Sequence, residues 1–209
     1  MGASEQGLEG LLLPVLVRHA GDKIAGATRL KRYTGQMRVS ILLLLCVAAA
    51  LHAESVAGLK WTAPSSWSNK GSAPMRAATY MVPPAPGDKE SSECVVYFFG
   101  TGQGGSVEAN VDRWKGQFTQ AGRTAPAQIQ KRSVHGLPLT TIDTSGDYSG
   151  MGGPLAGKPT VEAGYRLLGA IFEGPEGNVF IKFAGPAKTV AANQRNFEQL
   201  VNSFDKEKK

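Results

Sequence analysis

The most uniform apolar stretch of this chain is Val39–Leu51, thirteen residues with only Ser40 polar. It lacks the polar periodicity of a helix packed on a core. It is also shorter than the ~20 apolar residues a bilayer crossing needs. Arg38 precedes it, and small residues follow at Ala48, Ala49, Ala50 and Ala53. A positive start, an apolar centre and a small-residue end make residues 37–53 a cleavable signal peptide. Cleavage is expected after Ala53, with Ala50 as second choice. Residues 1–36 do not read as a domain, and Met37-Arg38 makes an ordinary signal start. Translation from Met37 is therefore expected, with 1–36 a non-native extension.

Beyond Ala53 the pattern breaks into short runs. Gly58–Trp67, Met75–Val82 and Glu93–Phe99 read as strands, separated by breakers such as Pro83-Pro84-Ala85-Pro86-Gly87-Asp88. Val107, Val111, Trp114 and Phe118 then recur at helical spacing, with Ser106 placed as N-cap and Gly122 at the exit. Ala127–His135 and Leu137–Thr144 pair through a turn at His135-Gly136. Residues 145–162 form a long Gly-rich loop. Gly164–Glu173 and Asn178–Ala184 make a hairpin. A last helix is expected from a Thr189 N-cap, with Asn193, Phe197, Leu200, Val201 and Phe204 on one face. The order β-β-β-α-β-β-β-β-α predicts one α+β domain over 54–204. It is a mostly antiparallel sheet flanked by two amphipathic helices, an α/β/α sandwich, with a charged tail over 205–209.

Charge narrows the partners. The net charge is +6, but residues from Glu54 onward hold seventeen basic and fourteen acidic side chains, a net of +3. That is a mildly basic surface without the clustered Lys/Arg of a nucleic-acid interface. No stable transmembrane segment is expected after cleavage. Cys46 sits inside the signal after Leu45, where lipidation would require a small residue, so Cys94 is the one mature cysteine and no intrachain disulfide is expected. Opening the apolar run Cys94–Phe99, it reads as a small buried hydrophobe.

Trp61-Thr62-Ala63-Pro64-Ser65-Ser66-Trp67 near the start and Phe197-Glu198-Gln199-Leu200-Val201-Asn202-Ser203-Phe204 at the end carry a resemblance to the PsbP-like superfamily. It spans about residues 58–204 and implies an α/β/α sandwich and the role of an assembly or binding factor. It transfers no catalytic residue. The chain also resembles exported bacterial proteins with a Gly-rich loop before the first helix and a Gly-Gly-Pro loop, here Gly152-Gly153-Pro154.

Candidate chemistry is sparse. Gly100-Thr101-Gly102-Gln103-Gly104-Gly105 fits GxGxxG between a strand and a helix, but the acidic ribose partner near position 125 is missing and the sheet reads as antiparallel. A generic anion at Gly104, Gly105 and Ser106 is the weaker use of that turn. His135 is the one histidine after cleavage, so neither a zinc site nor a Ser-His-Asp triad is expected, and its turn position suggests a solvated ring. Asp143, Asp147 and Glu162 bracket the 145–162 loop and allow a carboxylate acid/base pair or a weak Ca²⁺ cage, with too few ligands at fixed spacing for either. Asp147 reads more simply as a turn residue.

The loop is the strongest functional candidate because it exceeds the usual connection length. Tyr148, Met151 and Leu155 offer apolar contacts; Lys158, Arg166 and Lys188 add charge. The expected function is an exported, non-enzymatic binding or accessory protein, periplasmic or secreted, with no cofactor and no metal. Its partner would be an extracytoplasmic protein or a small ligand. The alternative is a carboxylate-dependent hydrolase acting on an envelope polymer.

Overall fold

The computed structural model describes residues 53–150 and 161–208. Every strand pairing among them is antiparallel. The central hairpin is β10 (Glu162–Gly174) with β11 (Gly177–Pro186), joined by a turn at Pro175-Glu176. Its apolar residues are nearly continuous because both faces are buried. On β11, Val179, Ile181 and Phe183 join one apolar cluster, while Phe180 joins the other.

The sheet spreads from this hairpin in both directions. On one side lie β5 (Ser92–Tyr97), β4 (Arg76–Val82) and the two-residue β3 (Ser68–Asn69). On the other lies β9 (Leu137–Tyr148), which pairs first with β8 (Ala127–Val134) and then, further along, with β6 (Phe118–Gln120). Beyond β6 is β7 (Arg123–Thr124). A small second sheet holds β1 (Ala53–Val56), β2 (Leu59–Thr62) and β12 (Asp205–Lys206). Residues 205–206 of the expected charged tail are therefore a strand on β2.

The Trp and Phe residues at the two ends of the domain meet here. Trp61 of β2 stacks on Phe204 at 5.0 Å, and Phe204 stacks on Phe172 of β10 at 4.6 Å. The Trp67 indole N–H donates to Asn193 Oδ1 at 3.1 Å.

Among the described residues three short helices stand where two were expected. The first, α1, is Val107–Lys115. Ser106 caps it as expected, its hydroxyl accepting from Ala109 N at 3.1 Å. The helix stops at Gly116, well before Gly122. Phe118 belongs to β6, where pairing to Tyr148 overrides the helical spacing; it is buried with Val107, Val111 and Trp114 all the same. Ala121 and Gly122, both with positive φ, form the tight turn between β6 and β7. Trp114 lies against Gly169 of β10, where a Cβ would stand 2.5 Å from its ring.

The terminal helix breaks at Asn193 into α2 (Ala187–Ala192) and α3 (Gln194–Asn202). Thr189 is inside α2 and does not cap it. The cap comes from the Pro-rich loop instead. The Asp88 carboxylate accepts from Thr189 N at 2.9 Å and from Thr189 Oγ1 at 2.6 Å, and Ala85 N donates to Thr189 Oγ1 at 2.9 Å. Asp88→Ala leaves the Thr189 N–H of α2 and the Thr189 hydroxyl without their shared acceptor. It should lower stability by about 1 kcal/mol and Tm by about 2–4 °C, measured by thermal denaturation.

The 145–162 loop is shorter than expected at both ends. Ser145–Tyr148 complete β9 and Glu162 opens β10, in register with Tyr148. Met151, Leu155, Lys158 and the Gly152-Gly153-Pro154 motif lie outside the described residues, as do residues 1–52. A deletion of 147–160 would remove paired strand residues; 150–160 is the cut that spares both strands.

Candidate functional site

A groove of about 360 Å³ lies between α3 and the strands β8, β9 and β10. Period-two alternation along β8 puts Gln128, Gln130 and Arg132 on this face. The buried Phe197 and Val201 of α3 and Leu168 of β10 give it an apolar floor. Its rim is rich in amides: Gln128 and Gln130 on one side, Gln194 and Asn202 on the other. Primary amides both donate and accept, so this rim can satisfy a neutral polar ligand without a counter-charge. One contact ties the walls, Arg132 Nη2 donating to Asn202 Oδ1 at 3.0 Å; along α3, Gln194 Nε2 donates to Glu198 Oε1 at 3.2 Å.

One end of the groove is closed by an ion pair. Arg166 on β10 grips Asp143 on β9 with Nε–Oδ1 at 2.9 Å and Nη2–Oδ2 at 2.6 Å; its Nη2 also donates to Gln194 Oε1 at 2.9 Å. Hydrogen bonding to Asp143 holds the guanidinium proton more firmly than usual, against the smaller opposing effect of burial. A bidentate pair of this kind is a positioning device.

On the other sheet face stands a second polar centre. Lys182 of β11 is buried, 6% exposed. Its ammonium donates to Gln117 Oε1 at 2.8 Å and to the Tyr148 hydroxyl at 3.1 Å. Among the described residues no carboxylate pairs with it. Burial lowers its pKa to about 8, and the Arg113 charge adds to that. Tyr148 is held between Phe118 at 4.9 Å and Tyr165 at 5.8 Å.

The residues expected from sequence divide between these places. Arg166 and Asp143 meet at the groove, whereas Asp147 is exposed on β9 and Glu162 is half-buried at the start of β10. Asp147 and Glu162 do not line the groove. Tyr148 is a β9 residue engaged with Lys182, not a loop contact. Lys188 is exposed on α2. Gly104 is explained by packing, since a Cβ there would stand 2.8 Å from the rings of Phe99 and Phe180. Gly105 is the neighbour of the cap and its carbonyl accepts from Asn178 at 3.4 Å. His135, in its tight turn, is 2.8 Å through Nδ1 from the Phe204 carbonyl, so the ring ties the turn to the end of the domain. Cys94 is fully buried and its thiol pKa is pushed up by burial. Among the described residues no cluster of three or more His, Cys, Asp or Glu side chains could hold a metal.

Sequence reasoning missed Lys182 and the groove amides. Lys182 carries a legible signal, a single charge inside the apolar run Val179–Ala184. The amides carry none, because Gln on an exposed strand is ordinary.

No protein-family model matches the chain, and no curated protein matches it. Among solved structures it is similar to the solution structure of cyanobacterial PsbP from Synechocystis sp. PCC 6803. The identity is 10% and the TM-score 0.44, over 74% of this chain and 90% of that one. The likeness is a weak PsbP-like resemblance and assigns no residue a role.

Proposed function

We propose that this chain is an exported, non-enzymatic binding or accessory protein. It holds an extracytoplasmic protein or a small ligand in the groove between α3 and β8–β10. The makeup of that groove carries the reading: an apolar floor under an amide-rich rim, with its Asp143 carboxylate already occupied by Arg166. Such a site recognises and orients. A carboxylate-pair hydrolase would need a free general base and an acid facing one bond; of the groove's two carboxylates, Asp143 is held in its bidentate pair, and Glu198 alone does not supply both roles. In the same reading α1 covers one sheet face and α2–α3 the other, and the Gly-rich connection between β9 and β10, residues 149–161, is a second contact. The signal peptide over 37–53 places the work in the periplasm or outside the cell. No helix among the described residues is long and apolar enough to cross a membrane.

The test is capture from an extracytoplasmic extract, followed by titration of whatever is retained. The exposed pair Gln128→Ala/Gln130→Ala should fold normally and bind roughly tenfold or more weakly, the loss of about two amide hydrogen bonds. Deleting 150–160 is the parallel arm. Loss on that deletion alone, with the amide variant binding as tightly as the parent, assigns recognition to the connection and refutes the groove.

A further inference from the structure

The groove has a direction as well as a lining. Arg132 and Asn202 meet at one end. At the other, Asp143, the β9 partner of Gln128, is bridged through Arg166 to Gln194. So β8 from 128 to 132 and α3 from 194 to 202 run side by side in the same sense. Four residues of strand span about 13 Å and eight of helix about 12 Å, so the two walls stay level. Glu198, one turn from each end, therefore stands level with Gln130 and with the β9 partner of Gln130, Thr141.

The charges are ordered along that axis. At the Gln194 end Asp143 and Arg166 cancel each other. Two lining charges remain, Arg132 and Glu198, and among the described residues neither forms a salt bridge. Each is steered by an amide instead. Asn202 Oδ1 accepts from Arg132, which leaves the Asn202 amide N–H groups beside the guanidinium as joint donors for a carboxylate. Gln194 donates to Glu198 Oε1, which leaves Oε2 as an acceptor for a cation. Residues 198 and 202 are one helical turn apart, about 6 Å.

That lining selects among ligands. A phosphate polymer needs several cations, and Arg132 is the one left free. A sugar ring has no open aromatic face to stack on, because Phe197, the one aromatic side chain lining the groove among the described residues, is 5% exposed. A zwitterion without net charge meets both Glu198 and Arg132. A free amino acid carries its ammonium and carboxylate on one carbon, too close for the two sites. Two extended residues span about 7 Å, which matches the turn between them. We infer that the groove binds a free dipeptide, with its α-ammonium on Glu198 and its carboxylate on Arg132 and Asn202. Gln130 and Thr141 then lie along the peptide link, and an apolar C-terminal side chain rests on Val201. The inference rests on the groove being the binding site.

Calorimetric titration of the natively processed protein with alanyl-leucine tests it, beside the N-acetylated peptide, the C-terminal amide and free leucine. The free dipeptide should bind, and each cap should weaken it at least about tenfold, the loss of a charge-assisted contact. Free leucine should bind at least about tenfold more weakly than the dipeptide. Two substitutions of exposed residues assign the contacts. Glu198→Gln should make the protein indifferent to the acetyl cap and still sensitive to the amide; Arg132→Gln should do the reverse. No binding tighter than a Kd of about 1 mM overturns the inference. So does a parent that binds capped and free peptides alike, or a cap whose cost is the same in both variants. Capture from extract with Gln128→Ala/Gln130→Ala keeps the two readings apart. A partner lost in that variant, with no dipeptide bound by the parent, refutes only the dipeptide. A partner that ignores those amides, with no dipeptide bound, refutes the groove as well.

Discussion

Lys182→Met should make the protein more stable at pH 7, by about 1–2 kcal/mol. In the folded chain burial holds the Lys182 ammonium at a pKa of about 8, against about 10.5 when solvated. A depression of that size corresponds to about 3 kcal/mol of unfavourable burial when the group is charged. The folded value lies below the unfolded one, so below pH 8 both states carry the proton and the penalty is present in full. Between pH 8 and 10.5 the unfolded chain holds a proton that the folded chain has released, and stability rises with pH. Methionine removes the charge and keeps the apolar stem, while Gln117 and Tyr148 lose a hydrogen-bond partner, which offsets part of the gain. Tyr165 acts in the opposite sense at higher pH: burial, with Glu90 hydrogen bonding next, pushes its hydroxyl up to about 12, so its contribution falls away above pH 10. Urea denaturation of the parent and Lys182→Met from pH 7 to 9.5 isolates Lys182 by difference, because the buried Cys94 thiol, its pKa pushed up, costs both proteins stability above about pH 8.5. The parent should gain on Lys182→Met across that window. A difference that does not change with pH would mean the ammonium is solvated or paired.

The largest loss is expected at Trp61. Its ring is 1% exposed and stacks within 8° of parallel on Phe204, which stacks in turn on Phe172. Its indole N–H donates to the Tyr80 hydroxyl at 2.7 Å, and that hydroxyl donates to Glu54 of β1. The one side chain thus fastens the small sheet to the large one. Trp61→Ala removes the stack and opens a cavity, at a cost of about 3–5 kcal/mol. Trp61→Phe keeps most of the stack and loses the hydrogen bond, at about 1–2 kcal/mol. Equilibrium unfolding with an unchanged denaturant slope separates the two. Equal losses would place the energy in the hydrogen bond and not in the stack.

Legibility followed local physics. The antiparallel sheet, the His135-Gly136 turn, the Ser106 cap and the β10–β11 hairpin were readable because short-range chemistry decides each of them. Phe118 misled because strand pairing to Tyr148 placed it on the face that the helical spacing also favours. Thr189 misled because its cap partner, Asp88, is a hundred residues away in sequence. The Trp61–Phe204 contact was present only as two motifs at opposite ends of the domain. The groove was illegible for the same reason: Gln128, Gln130, Gln194 and Asn202 are unremarkable until the sheet and α3 bring them together. Asp143 and Arg166 were each noted in the sequence, but their pairing depends on the β9–β10 register.

Hydrogen exchange of the protein, with and without the partner captured from extracytoplasmic extract, tests the groove most directly. Slowed exchange should fall on residues 128–132 of β8 and 194–202 of α3, and should be lost with Gln128→Ala/Gln130→Ala. Protection confined to the Lys182–Tyr148 side of the sheet, with β8 and α3 exchanging as before, would contradict it.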